Sequence, residues 1–106
     1  MTAASDARVR VLVRYAARDA DPGAVAEAYS RVCAQLRGTS GLLGSELLGS
    51  TLDPGRFAVL SEWRSLEEFR RWEQGPAHKG QTAGLRAFRD DSGGRGYDIY
   101  EVMESL

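Results

Sequence analysis

A chain of 106 residues with a net charge of −1 is a single domain with one core, and the charge balance argues against nucleic acid as a partner. Its 42% hydrophobic and 27% charged residues are those of an ordinary water-soluble protein; no apolar run approaches a membrane span and the N-terminus has no signal-peptide core, so a cytoplasmic protein with no membrane partner is expected. One cysteine, Cys33, permits no disulfide, and with one histidine there is no set of side chains spaced to hold a metal.

Residues 1–7 are small and polar and read as a flexible tail, followed by a single domain over 8–106. Arg8 to Tyr15 alternates, with Val9, Val11, Val13 and Tyr15 on one side and Arg8, Arg10 and Arg14 on the other, which predicts a strand with one buried face. Asp21 is placed to cap a helix that Pro22 enters. Val25, Ala28, Tyr29, Val32, Cys33 and Leu36 then recur at helical spacing up to Gly38, which predicts a buried, inert thiol at Cys33. Leu42 to Thr51 reads as a strand covered on both sides, because its faces are alike. Asp53-Pro54-Gly55 turns it back into Arg56–Trp63 as an antiparallel hairpin.

In that second arm Phe57, Val59, Ser61 and Trp63 share a face. Ser65-Leu66-Glu67-Glu68 predicts a capping box, with Ser65 accepting from the amide of Glu68 and the Glu68 carboxylate returning to the amide of Ser65. Phe69 and Trp72 share one face of the helix that follows, which Gly75-Pro76 stops. His78 to Phe88 predicts one short helix with Leu85 and Phe88 inward; Arg89 to Gly96 is a mobile loop by composition; Tyr97 to Met103 alternates as a last strand. The order is β-α-β-β-α-β, the ferredoxin-like α+β pattern, with a four-stranded antiparallel sheet and helices on one face. The uncovered face carries enough Val, Leu and Tyr to predict a homodimer whose sheets form a barrel-like sandwich.

Gly41 to Leu48, Asp53-Pro54, Phe57, Ser61-Glu62-Trp63, Phe69, Trp72 and Gly75-Pro76-Ala77-His78 together resemble the antibiotic biosynthesis monooxygenase family of dimeric α/β-barrel proteins, over roughly Val9 to Met103. The resemblance implies a ligand between the sheet and the helices of each protomer. It also implies a spread of activities: cofactor-free oxidation of anthrones to quinones, quinol oxidation, haem degradation, and cyclisation or isomerisation of polyketides. Trp63 matches the tryptophan that members keep beside the pocket, and His78 matches a Pro-His corner of quinol-oxidising members. Anthrone oxygenases carry an asparagine where this chain has Val59 and a tyrosine where it has Phe69. Phe69 and Trp72 resemble the Phe-x-x-Trp helix of haem-degrading members. Their haem ligand falls nearest Thr82 here and their first-strand asparagine has no counterpart, so no haem and no other cofactor is expected.

Trp63 and Trp72 offer flat apolar faces for a planar ligand, or are core alone. His78 is the one side chain that titrates near neutrality without perturbation; it is either a general base or a surface residue bonded to the backbone. Arg86 would neutralise a developing enolate or phenolate, or sit exposed in an ion pair. Ser61, Tyr15, Tyr29 and Thr82 would donate to a ligand carbonyl if they face inward. The expectation is a cofactor-independent monooxygenase acting with O₂ on an aromatic or polyketide-like small molecule in secondary metabolism. The alternatives are a non-oxidative cyclase or isomerase, and a module that binds a small molecule without chemistry.

Overall fold

Alternation in the first strand decides how the sheet is laid. In the computed structural model, which describes residues 7–106, the elements are β1 (Val9–Ala16), α1 (Pro22–Leu36), β2 (Leu42–Gly49), β3 (Arg56–Trp63), α2 (Leu66–Glu73), α3 (His78–Gln81), α4 (Ala83–Arg86) and β4 (Tyr97–Glu101). The tail expected over 1–7 lies, apart from Ala7, outside the described residues. The strands order β2-β3-β1-β4, every neighbour antiparallel, which is the ferredoxin-like α+β arrangement read from the sequence.

Residues opposite one another across antiparallel strands share a face. Val9, Val11, Val13 and Tyr15 of β1 oppose Trp63, Ser61, Val59 and Phe57 of β3, and Ile99 and Tyr97 of β4 oppose Val11 and Val13. This inner face meets the helices in two clusters. Val25, Ala28 and Val32 of α1 pack with Tyr15, Ala17 and Leu85; Phe69 of α2 packs with Val9, Val11 and Trp63. Val13 touches both clusters, and the space between them is the cavity described below. The outer face carries Leu12, Leu60 and Ala58 in the middle, with Leu48 and Tyr100 39% and 54% exposed. Arg8–Glu62 and Arg14–Asp98 ion pairs, at 2.8 and 2.6 Å, stand around them.

Local chemistry follows the expected caps. Asp21 accepts from the Gly23 amide at 3.3 Å and Pro22 opens α1; Gly38, just past its end, has φ +82°, a conformation open to a residue without Cβ. Ser65 accepts from the Glu68 amide at 3.2 Å, but the other half of the capping box does not form. The Glu68 carboxylate is drawn instead to Arg64 and Ser40, both at 3.4 Å, because a guanidinium is the stronger partner.

Five further expectations are corrected. The strand from Leu42 ends at Gly49 and is not covered on both sides: it is an edge strand, with Leu43 48% exposed beside a bulge between Leu42 and Gly44. Its faces read alike because the bulge breaks the period of two. Cys33 is half-buried, since it lies on the flank of α1 nearest that open edge. The single helix over His78–Phe88 is two turns, α3 and α4, broken at Thr82 (φ −103°, ψ 4°). The loop from Arg89 to Gly96 is tied down: Arg89 bridges Tyr15, the Asp90 amide donates to the Arg14 carbonyl, and the Arg14 amide donates to Gly96. Asp90 is buried there, its carboxyl held below the usual range by bonds from Ser92 and by the Arg56 guanidinium. The last strand stops at Glu101, although Val102 still donates to Arg8.

Leu85, 2% exposed, is the one buried residue of α3 and α4, so it holds both turns against α1. Leu85→Ala is expected to cost about 2–5 kcal/mol of unfolding free energy, measured by urea denaturation with an unchanged slope.

Candidate active site

The cavity lies on the inner face between the two core clusters and has a volume of about 230 Å³. That is slightly below the range of roughly 300–1,000 Å³ usual for small-molecule sites, so a ligand here would be compact. All ten residues singled out from sequence line it: Tyr15 and Tyr29; Val59, Ser61 and Trp63; Phe69 and Trp72; and His78, Thr82 and Arg86.

Its walls follow from the register. Trp63 stands at the end of β3 opposite Val9, so it closes one end of the inner face, 1% exposed. Its indole N–H donates to Ser61 Oγ at 3.0 Å, two residues back on the same face. Phe69 meets it edge-on at 5.3 Å, and Trp72 lies tilted at 5.1 Å. Trp72 is fixed in turn by an indole N–H bond of 2.8 Å to Gln81 Oε1, whose amide donates to the Gln35 carbonyl of α1. The His78 ring then stands edge-on to Trp72 at 4.5 Å. Trp63 is therefore both core and wall, and His78 is on the cavity.

The opposite end is set by Tyr15, at the far end of β1 and opposite Phe57. Val9 and Tyr15 are six residue steps apart, about 20 Å of strand. Here Arg86, Arg89 and Tyr97 join the lining. Arg86 is anchored by a 2.8 Å bond to the Lys79 carbonyl, and the Arg89 guanidinium lies 5.9 Å from the centre of the Tyr97 ring. Arg89 Nε is buried and has no hydrogen-bond partner among the described residues; Asp91 Oδ1 lies 3.4 Å away without the alignment of a bond. On the side wall the Tyr29 hydroxyl donates to Ser45 Oγ at 3.0 Å, and the Thr82 hydroxyl donates to the His78 carbonyl.

Burial dominates the titration of the site. It pushes His78 below its ordinary value of 6.5, with Glu73 opposing and Arg86 and Lys79 reinforcing, so the imidazole is neutral and able to accept a proton at pH 7. Burial likewise raises Tyr15, against the pull of Arg89 and Arg86, and raises Tyr29, so both phenols are donors. Among the described residues no group of three His, Cys, Asp or Glu side chains is placed to hold a metal, and no helix is long and apolar enough to cross a membrane.

Ser45, Glu73, Arg89 and Tyr97 also line the cavity and were not singled out from sequence. Tyr97 carried a signal in its period-2 partner Ile99, and Glu73 in its i,i+4 spacing from Phe69. Ser45 was hidden by the bulge. Arg89, at the edge of a Gly/Asp-rich loop, carried none.

The sequence profile of the antibiotic biosynthesis monooxygenase family matches residues 8–81. Protein SchA from Streptomyces halstedii is 30% identical over 78 residues, 74% of this chain; the chain spans about a fifth (20%) of SchA. The crystal structure of SnoaB, a cofactor-independent oxygenase from Streptomyces nogalater, superposes with a TM-score of 0.76 at 17% identity, covering 94% of this chain and 97% of that one. A conserved protein from Methanosarcina mazei superposes at 0.66 with 16% identity, over 94% and 97%. These structural likenesses establish a common fold.

The single histidine makes its environment directly readable. Its ring protons in an NMR titration are expected to report a pKa below 6.5, moved upward by Arg86→Gln and further downward by Glu73→Gln; a value at or above 6.5 would put the ring in solvent.

Proposed function

The chain belongs to the antibiotic biosynthesis monooxygenase family, and from that premise we propose that it is a cofactor-independent monooxygenase acting on a small electron-rich aromatic or polyketide-type molecule. The observation that carries the reading is His78: the one near-neutral base, kept unprotonated, on the wall of an apolar cavity and against the indole of Trp72. The cofactor-free oxygenase chemistry of SnoaB, on a similar scaffold, supports it.

His78 takes a proton from a phenolic O–H or an activated C–H, and Arg86 offsets the charge left on the substrate. The substrate anion is the reductant and O₂ the oxidant: one electron passes to O₂, the two radicals join in a C–O bond, and the proton on His78 returns to the peroxide. Loss of water from that hydroperoxide leaves one oxygen in the product as a quinone carbonyl; one hydrogen of the water comes from the oxygenated carbon and the other is the proton first taken by His78. Trp63, Trp72, Phe69 and Val59 hold the ring and exclude bulk water, which keeps the radical pair from escaping. Ser61, Tyr29 and Thr82 border the ligand, and Tyr15 supplies an O–H.

The assembly that fits is a homodimer, because the Leu12–Leu60 centre of the outer face is apolar and a second sheet would cover it. Light scattering at micromolar concentration should return twice the chain mass, and Leu60→Arg should return one chain mass; a monomeric wild type would remove the barrel arrangement.

For the reaction itself, oxygen uptake matched to quinone formation is expected from chelator-treated protein with a panel of anthrones, hydroquinones and naphthols. His78→Ala should lower kcat by about 10²–10⁴-fold with the fold intact. Ligand binding without oxygen uptake from any of them would turn the reading to an acid–base cyclase or isomerase, or to a binding module.

A further inference from the structure

His78 and Gln81 stand three residues apart on the single turn of α3, so they share a face, and both meet the same indole. The His78 ring lies at 82° to Trp72 with centroids 4.5 Å apart, while Gln81 Oε1 accepts the Trp72 indole N–H at 2.8 Å. From the other end of its amide, Gln81 Nε2 donates to the carbonyl of Gln35 at 3.2 Å. That carbonyl is among the last four of α1, which have no partner within the helix. An indole N–H can only donate and a backbone carbonyl can only accept, so a side chain joining the two must offer one acceptor and one donor. A carboxamide does so in one orientation. Gln81 therefore links α1, α2 and its own α3 at one point.

Little else ties α3 to its neighbours. It is four residues long with no buried side chain, and Ala77 at its start supplies no capping bond. A turn that short does not hold itself in water. The Thr82 hydroxyl on the His78 carbonyl and the Arg86 guanidinium on the Lys79 carbonyl connect it to the residues that follow, and neither bond reaches α2. We propose that Gln81 is a positioning residue for the base: its amide sets the Trp72 indole, and the indole in turn seats His78 on the cavity wall. This rests on the reading of His78 as the base of the cavity. Gln81 does not itself line the cavity, so it acts on a bound ligand only through Trp72.

The test reads NMR signals that need no substrate. Trp63 and Trp72 give two indole N–H signals, and Trp72→Phe identifies which is which. In Gln81→Leu the Trp72 signal is expected to move upfield and exchange faster with water, while that of Trp63, bonded to Ser61, stays in place. His78 is expected to titrate higher than in the wild type, nearer 6.5, because burial is the main cause of its lowering; Glu73 on α2, Lys79 on α3 and Arg86 on α4 are unchanged in charge. Simple loosening of α3 would move His78 as well, so the deciding comparison is the double variant of Trp72→Phe with Gln81→Leu. Without an indole N–H the amide has nothing to set, and Gln81→Leu should add no shift to that of Trp72→Phe. An unmoved His78 or an unmoved Trp72 signal in Gln81→Leu, or shifts that add in the double variant, would each overturn the proposal. With an oxidisable substrate, kcat of Gln81→Leu should fall about 10- to 100-fold, the scale of a base displaced by about 1 Å. Non-additive shifts with no oxygen uptake by the wild type keep the role of Gln81 and remove the oxygenase. Oxygen uptake with additive shifts does the reverse.

Discussion

The structure depends on one packing arrangement, the indole of Trp63 at the end of β3. Its ring stops the inner face of the sheet, with Phe69 edge-on and Trp72 tilted against it. An indole carries a donor that is costly to bury unpaired, and Ser61, two residues earlier, removes that cost without a second element having to approach. Because the bond lies within β3, the orientation of Trp63 does not depend on a bond from α2. α2 is placed by contact with Trp63, Trp72 is carried by α2, and His78 follows after the Gly75-Pro76 stop. The position of the base is inherited along this line of contacts.

The same arrangement explains why a cavity exists at all. Helices on a four-stranded sheet usually close a continuous core. Here α1 covers the half containing Tyr15, and α2 covers the half containing Val9, each with its own cluster. Two four-residue turns bridge the gap, and only Leu85 among their residues is buried. A bridge with one apolar anchor cannot fill the space between two clusters, so an apolar room is left with polar groups at its rim. Low dielectric in that room acts on all its titratable groups in one sense, favouring the neutral form of His78, Tyr15 and Tyr29. The guanidiniums escape this, because arginine keeps its charge in any protein environment.

Much of this was legible in the chain. Period-2 runs gave the inner faces of β1 and β3 residue by residue, and the caps at Asp21 and Ser65 located both long helices. That Tyr15, Tyr29, Val59, Ser61, Trp63, Phe69 and Trp72 border the cavity follows from strand faces and helix spacing, which determine direction without any knowledge of distant contacts, whereas His78, Thr82 and Arg86 lie in short turns whose direction no period gives. What was hidden shares one cause, dependence on another element. The bulge near Gly44 reverses the facing of the rest of β2, and a bulge has no periodic signature. The break at Thr82 comes where α3 has to turn toward α1. The segment after Arg89 looks like free loop from its glycines and aspartates, yet its backbone is bonded to β1 at Arg14 through Asp90 and Gly96, partners more than seventy positions away.

That last segment determines where specificity can reside. The sheet contributes apolar side chains and neutral hydroxyls to the room, so strand β3 cannot discriminate among ligands by charge. Of the groups that can, Glu73 ends α2, and His78, Arg86 and Arg89 all come from the twelve residues His78 to Arg89. This stretch is bonded to the sheet at its far end, through Phe88 and Asp90, and packed on α1 at Leu85, but its own side chains make few obligatory contacts. Apart from Gln81, which fixes Trp72, and Leu85, the side chains there can change charge and hydrogen bonding at the cavity without touching Trp63. A scaffold arranged in this way separates what it must keep in order to fold from what it can alter in order to choose a substrate, and the separation follows the boundary between its long elements and its short turns.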